Sequence, residues 1–402
     1  MSQISDSTIS AFKISATDAE LDDLQARLKN TRWPERETPN DWSQGIPLNY
    51  LKELCAYWAS DYNWREREAK LNRFDQFTTL LDTNSKDSES LSIHFIHQRS
   101  KNENARPLIM THGWPGSVVE FQKVIEPLTN PEAHGGSAED AFHVVCPSLP
   151  GYGFSDKPTK PGCGVAEIAG MWNDLMVRLG YTEYVAQGGD WGSAVTTAIG
   201  LQNLGNCKAI HVNMPNAGAT KAAREAPDAA DKRALERAMF YQQWDSGYSK
   251  QQSTRPQTLG YGLVDSPSGQ AGWIVEKFYA WTDCAPADDP EGPNHPENAI
   301  SREELLDNVM LYWLPATGAS SARLYWESFG NAFGGDNKAT VTLPTGCSLF
   351  PCEIVPTPRS WAEQRYTNIK YWNELNKGGH FAAFEQPELF VGELRNCFSQ
   401  IA

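Results

Sequence analysis

The stretch Val185–Val195, reading "VAQGGDWGSAV", puts a carboxylate where a nucleophile would be presented. A short apolar strand runs into a glycine-tight corner and then into the start of a small-residue helix. Asp190 holds the third place of a G-x-Nu-x-G frame spanning Gly188 to Gly192, a place more often taken by serine. A sharp turn of this kind lifts the side chain clear of the backbone. A helix beginning near Gly192 would aim its amides and positive dipole end at the carboxyl and favour the ionised form. A serine there makes an ester from its substrate's acyl group. An aspartate supplies the acyl group itself and can bond to an alkyl carbon. An N-capping aspartate in an ordinary loop fits the same frame.

Chemistry at such a carboxylate needs donors, a base and an orienting acid. "HGWPG", His112 to Gly116, follows the apolar run Leu108 to Met110. In α/β-hydrolases the loop after this strand supplies one oxyanion N–H and the residue after the nucleophile the other, which points to the amides of Trp114 and Trp191. A Pro/Gly turn without a role reads the same. His112 is expected to be buried behind the turn and structural. Of the eight histidines, His380 in "NKGGHFAAFEQPEL" sits on a glycine-rich loop that could present an imidazole over the strand ends. The orienting acid should fall between nucleophile and base. Glu353 in "GCSLFPCEIVP" lies 27 residues before His380; Asp336 in "GGDNK" is the alternative, and Glu385 reads as a surface or capping residue. His94 and His97, three apart in an alternating strand, face opposite sides, so a shared metal is not expected. His134 and His295 fall in polar loops and read as solvated.

The elements that must position these residues follow a clear rhythm. Residues 1–90 are rich in helical signals: Thr17 and Glu20 form a capping box before Leu21, Leu24 and Leu28, and Leu51, Leu54, Cys55 and Trp58 share a helical face. From residue 91 to 216 strands alternate with helices, which argues for a mostly parallel sheet covered on both faces. Between 217 and 340 strand signals vanish, and helical runs joined by Pro/Gly-rich linkers read as an inserted lid. Residues 341–402 resume the strand–helix pattern.

Composition narrows the class. With 402 residues, 35 Lys+Arg and 50 Asp+Glu, the chain carries a formal charge of -15 and no basic run. Nucleic acid and anionic membranes are therefore not expected partners. The eight cysteines are scattered without a C-x-x-C, so neither a zinc site nor a redox motif is indicated. No signal peptide and no long apolar run is found, which points to a soluble, cytoplasmic protein. Fourteen Trp, fourteen Tyr and sixteen Phe are enough to line an apolar pocket as well as a core.

With "HGWPG", "GGDWGS", "FPCE" and "GGHFAAFE" in this order, the chain resembles the microsomal-type epoxide hydrolases of the α/β-hydrolase fold. That group includes the mammalian microsomal enzyme, insect juvenile-hormone epoxide hydrolases and soluble fungal and bacterial relatives. "ISATDAELDDLQARLKNTRWPE" matches their N-terminal meander, and the segment from "WDSGYSKQQ" to "FYAWTD" matches their lid. The resemblance implies an α/β fold with a mostly parallel central sheet, an inserted helical lid and the meander. It also implies that Trp114–Pro115 is a cis peptide, and that Tyr248 in "SGY" and Tyr325 in "SSARLYWES" hydrogen-bond the epoxide oxygen. Tyr241, Tyr261, Tyr279 and Tyr312 compete for that role and read mostly as packing. Membrane-bound members carry an apolar anchor ahead of the meander; about a dozen polar residues stand there in this sequence, as expected of a soluble relative.

The implied reaction turns a small hydrophobic epoxide and water into a vicinal diol. Asp190 is the nucleophile, His380 oriented by Glu353 the base, and Tyr248 and Tyr325 the proton donors; no metal or cofactor is required. A homodimer is compatible with this reading. Haloalkane dehalogenase is the nearest rival, since it shares an elbow aspartate followed by tryptophan. "DWGS" lacks the arginines of a fluoroacetate-type dehalogenase, and Ser193 lies beyond the elbow, where an esterase nucleophile would not stand. A catalytically inactive binding protein with this fold would usually lack one of nucleophile, acid or base, and all three are present.

Overall fold

The computed structural model of the chain describes residues 8–286, 292–333 and 339–402. Its centre is a nine-stranded sheet: β1 (Ser10–Phe12), β2 (Gln76–Asp82), β3 (Ser90–Gln98), β4 (Arg106–Thr111), β5 (Phe142–Pro147), β6 (Tyr184–Gly188), β7 (Cys207–Val212), β8 (Thr345–Leu349) and β9 (Ile369–Glu374). The spatial order is β1-β2-β3-β5-β4-β6-β7-β8-β9. The β1–β2, β2–β3 and β3–β5 pairs are antiparallel, and all others parallel. Every residue of β5, β6 and β8 is buried, as strands covered on both faces require. This is the mostly parallel sheet that the strand–helix rhythm called for.

The N-terminal part holds a difference. Its helices form where the periodicity places them. Asp18–Lys29 carries the Thr17–Glu20 capping box and buries Leu24 and Leu28. Leu48–Ser60 buries Tyr50, Leu54, Cys55 and Trp58, with Leu51 half-buried. The same part also contributes β1 and β2, which a helical reading passes over. "QFTTLLD" has no clear two-residue alternation; pairing along its whole length with β3, from Gln76↔Ile96 to Asp82↔Ser90, makes it a strand. Similarly, β3 does not alternate between core and solvent: Ile93 to His97 are all buried.

Between β7 and β8 the described residues contain helices and no strand. Several stretches that read as Pro/Gly-rich linkers are themselves helical, including Gly247–Thr254 and Pro256–Asp265. Pro256 and Pro267 each open a helix, where the missing proline N–H is no loss and its fixed φ is already helical. The N-terminal helices are bolted to this region. Arg67 makes a bidentate ion pair with buried Asp307, 2.8 Å from Nε to Oδ1, and the Tyr62 hydroxyl donates to the same carboxylate at 2.8 Å. Nearly all buried apolar side chains of sheet, N-terminal helices and inserted helices form one continuous core.

Candidate active site

The strand-to-helix corner after β6 places Asp190 first in the helix Asp190–Gln202, with Gly189 as its N-cap. The first helical hydrogen bond, from the Ser193 amide to Gly189 O at 3.0 Å, therefore already spans the aspartate. Asp190 adopts φ +50°, a left-handed conformation costly for a residue with a side chain and characteristic of functional sites. The corner closes because a Cβ on Gly192 would lie 1.8 Å from the Thr111 carbonyl oxygen, so no other residue lets the helix approach β4. At the end of β4, a Cβ on Gly113 would lie 2.1 Å from Asp190 Oδ1. That bare backbone brings the Trp114 amide to donate to Oδ1 at 2.8 Å, across a cis Trp114–Pro115 peptide. Among the described residues the Trp191 amide makes no hydrogen bond to this carboxylate.

His380 and Glu353 converge on Asp190 from beyond the C-terminal ends of β9 and β8. Glu353 follows β8 and is 2% exposed; its Oε1 accepts from His380 Nδ1 at 2.6 Å and from the Ile354 amide at 2.7 Å. The bond to Glu353 leaves His380 Nε2 facing Asp190 Oδ2 at 3.4 Å, without hydrogen-bond alignment to any described residue. Burial pulls the imidazole pKa down, but the charges of Glu353 and Asp190 and the hydrogen bond to Glu353 outweigh it and hold it well above the usual histidine value. The loop carrying His380 is laced to the end of the helix Pro267–Trp281. The His380 amide donates to Trp281 O at 2.9 Å, and the Gly378 amide to Asp283 at 2.8 Å.

Glu385, expected at the surface or in a cap, is buried. It accepts from the amides of Asp283 and Phe381 at 2.7 and 2.9 Å, so it is a cap that also ties this loop in place. Burial pushes its carboxyl up to about 7.

Tyr248 and Tyr325 stand across from Asp190, both buried, with ring centroids 5.8 Å apart. Trp114 stacks flat on Tyr248 at 4.9 Å, and Trp191 meets Tyr325 edge-on at 4.8 Å. Burial, and then neighbouring groups including Asp190, hold both phenols well above the ordinary tyrosine range, so they are protonated donors. With Asp190 they line a cavity of about 390 Å³ whose walls include Phe329, Phe333, Val355 and Trp361. Such a space suits a small apolar molecule with a few polar contacts.

Two further groups join the site, one that sequence reasoning set aside as packing and one that it missed. The Tyr241 hydroxyl lies 3.1 Å from that of Tyr248 and lines the same cavity. Its spacing of seven residues from Tyr248 was the available signal, blurred by the π-helical turn Tyr241–Asp245 between them. That turn also supplies Asp245, which binds buried Lys277 at 2.5 Å and the Trp281 indole at 2.6 Å, and Lys277 Nζ lies 4.9 Å from the Tyr248 ring centre.

The remaining candidates take other places. His112 Nδ1 is 2.9 Å from Gly113 O and its Nε2 accepts from the Leu149 amide at 3.2 Å; burial depresses its pKa to about 4, so it is a neutral brace for the turn. His94 lies between Ser148 and Gln76, each at 2.9 Å, and His97 bonds Tyr181 at 2.8 Å. His295, expected in solvent, is partly buried edge-on against Tyr50. Ser193 is buried and donates to Met214 O at 2.5 Å. Tyr312 donates to Gly116 O at 2.6 Å, Tyr279 stacks on Trp42, and Tyr261 is exposed. Asp336 lies outside the described residues. Among the described residues no group of three His, Cys, Asp or Glu is arranged to hold a metal, and no helix is long and apolar enough to cross a membrane.

Comparison with known proteins agrees with this geometry. Residues 9–121 match the family model "Epoxide hydrolase N terminus", and residues 106–255 match "alpha/beta hydrolase fold". The chain is 53% identical to a protein of Stigmatella aurantiaca over 98% of its own length and 85% of the relative. It is 35% identical to Epoxide hydrolase 1 of Oryctolagus cuniculus, covering 97% of this chain and 89% of that one. Among solved structures, juvenile hormone epoxide hydrolase of the silkworm Bombyx mori superposes with a TM-score of 0.87 at 31% identity, over 99% of this chain and 95% of that one. Aspergillus niger epoxide hydrolase superposes with a TM-score of 0.82 at 31% identity, over 98% and 97%. With nearly the whole chain matched to these relatives, the chain belongs to the epoxide hydrolases of the α/β-hydrolase fold.

Proposed function

We propose that this protein converts a small hydrophobic epoxide and water to a vicinal diol through an ester on Asp190. The observation that carries the reading is the placing of one carboxylate between three partners. The Trp114 amide holds Oδ1, the His380–Glu353 pair faces Oδ2, and Tyr248 and Tyr325 stand across the cavity. In the first step Oδ2 attacks an epoxide carbon, the ring C–O bond breaks, and a tyrosine proton passes to the forming alkoxide. A phenol with a reference pKa of about 10 keeps its proton at neutral pH yet gives it to a far more basic alkoxide.

The ester carbonyl oxygen is then Oδ1, already at the Trp114 amide. A water gives a proton to His380 Nε2 and bonds to Cγ, placing the oxyanion at that amide; the Trp191 amide is the second donor once negative charge develops. Collapse breaks the Cγ–O(alkyl) bond and releases the diol, the His380 proton going to the leaving oxygen and the second water proton, left on the regenerated Asp190 carboxyl, returning to the phenolate. Alkylation itself readies the base. While Asp190 is charged it raises the affinity of His380 for a proton, and the neutral ester removes that pull.

The helices of residues 217–340 act as the lid over a core of 91–216 and 341–402, with 1–90 as the meander. The two phenols favour epoxide opening over the haloalkane reaction, which calls for halide donors. A single turnover of styrene oxide in oxygen-18 water, with enzyme in excess, tests the route. The first diol is expected to carry no label, with the label retained on Asp190. Labelled diol in that turnover would instead indicate direct attack by water.

A further inference from the structure

Glu120 lies behind the catalytic residues, in the short helical turn Val118–Phe121 that follows the cis Trp114–Pro115 peptide. It is 9% exposed. Its carboxyl fills the space that a side chain at position 116 would take, since a Cβ on Gly116 would lie 1.6 Å from Glu120 Oε1. Glu120, His380 and Asp190 together line a second cavity of about 20 Å³. A single water needs about 10–15 Å³ of such space and two to four polar partners. Besides the Glu120 carboxyl, the residues around it include His380 and Gln187, whose Nε2 and Oε1 have no hydrogen-bond partner among the described residues. Asp190 alone lines both this cavity and the larger one that holds Tyr248 and Tyr325. The nucleophilic carboxyl is thus a partition, with room for the epoxide on one side and for one water on the other.

We propose that Glu120 is a catalytic residue of the hydrolytic half-reaction, holding the attacking water in the small cavity between its own carboxyl, His380 Nε2 and Cγ of Asp190. The inference rests on the ester route above. The two O–H groups of that water are directed to His380 and to the Glu120 carbonyl oxygen, which leaves a lone pair for Cγ. Glu120 serves as a neutral acid. Burial pushes its pKa up to about 8; His380 pulls it down, while Asp190 and Glu385 push it up, and the Tyr312 phenol also faces it. A neutral carboxyl accepts from the water without setting a full negative charge beside the oxyanion that forms on Oδ1. An amide has the same acceptor, which a thioether lacks.

The test is rapid-mixing kinetics with styrene oxide, following formation and decay of the Asp190 ester by quenching and mass spectrometry. Glu120→Met is expected to form the ester at the wild-type rate and to hydrolyse it about 10- to 100-fold more slowly, the range for losing one hydrogen bond to a reacting group. Glu120→Gln is expected to hydrolyse it within about threefold of wild type, as its retained acceptor requires. Gly116→Ala displaces the Glu120 carboxyl without altering it and is expected to slow decay as Glu120→Met does. Wild-type decay in Glu120→Met, equal slowing of both steps, or a glutamine variant as slow as the methionine one would overturn the proposal. If Glu120→Met does not fold, Gly116→Ala with undiminished decay overturns it. Absence of any ester in the wild type would remove the covalent route itself, a result distinct from an ester that forms and decays normally in the variants.

Discussion

His380 Nε2 stands 3.4 Å from Asp190 Oδ2, while its Nδ1 is held at 2.6 Å by Glu353. The imidazole is thus fixed on one side and open on the other, toward the carboxyl that it would later relieve of its ester. The relationship separates the base from the chemistry of the first step. His380→Gln is expected to leave alkylation intact and to stop hydrolysis, so that one equivalent of ester accumulates on Asp190, read by intact-protein mass spectrometry after mixing with styrene oxide. Asp190→Asn is expected to lose both steps, with kcat/KM falling at least about 10⁴-fold as for loss of other nucleophiles. Ester found in the asparagine variant would place the nucleophile elsewhere.

The two phenols should act before the ester, not after it. Tyr248→Phe and Tyr325→Phe are each expected to slow alkylation about 10- to 100-fold, and the double variant more, given that a positioned proton donor contributes about 10²–10⁴-fold. Ester decay should change little. Tyr241→Phe, which removes the 3.1 Å contacts to the Tyr248 and Ser249 hydroxyls, should cost less than either. Pre-steady-state rates of ester formation decide the order.

Stability should decline toward alkaline pH. Glu120 is pushed up to about 8 and Glu385 to about 7 by burial, and His380 is raised by its two carboxylate partners. All three bind protons more tightly folded than unfolded. Their contribution is complete below the unfolded values, about 4.3 for Glu and 6.5 for His, and is lost as pH rises through the folded ones. Below pH 7 the buried histidines His94, His97, His112 and His211, all depressed by burial, act in the opposite sense. The urea midpoint is therefore expected to fall from pH 7 to pH 9, and Glu120→Gln to make that fall shallower by removing one of the three. A midpoint that rises across this range would contradict the burial argument.

The tie between the N-terminal helices and the inserted helices is expected to be costly to break from one side. Arg67→Met leaves Asp307 buried, with its side chain 1% exposed, and the Tyr62 hydroxyl as its one remaining hydrogen-bond partner among the described residues. Removing one member of such a pair typically costs about 3–5 kcal/mol. Urea unfolding at pH 7 measures it, and a loss below about 1 kcal/mol would mean that the pair behaves as a surface bridge.

Local backbone rules made much of this protein legible from the chain alone. The glycine corner around Asp190, the turn "HGWPG" and the loop of His380 are set by residues close in sequence. Each follows a buried apolar run or a glycine pair whose geometry depends little on what lies elsewhere. The same holds for the capping box at Thr17 and for the parallel strands β4 to β8. Tyr248 and Tyr325 stood out through likeness to a family, because six lid tyrosines have equivalent local surroundings and only tertiary position separates them. Folding alone decided the rest. Strands β1 and β2 depend on neighbours that supply their hydrogen bonds, so weak alternation hid them. Glu385 read as a surface or capping residue and Glu120 drew no reading; packing removed the water around both, and burial, a property of the whole assembly of elements, raised their proton affinity. Tyr241 joins the site across a π turn, its hydroxyl 3.1 Å from that of Tyr248. Sequence set which chemistry the loops could present; tertiary packing decided where water, substrate and charge can stand around Asp190.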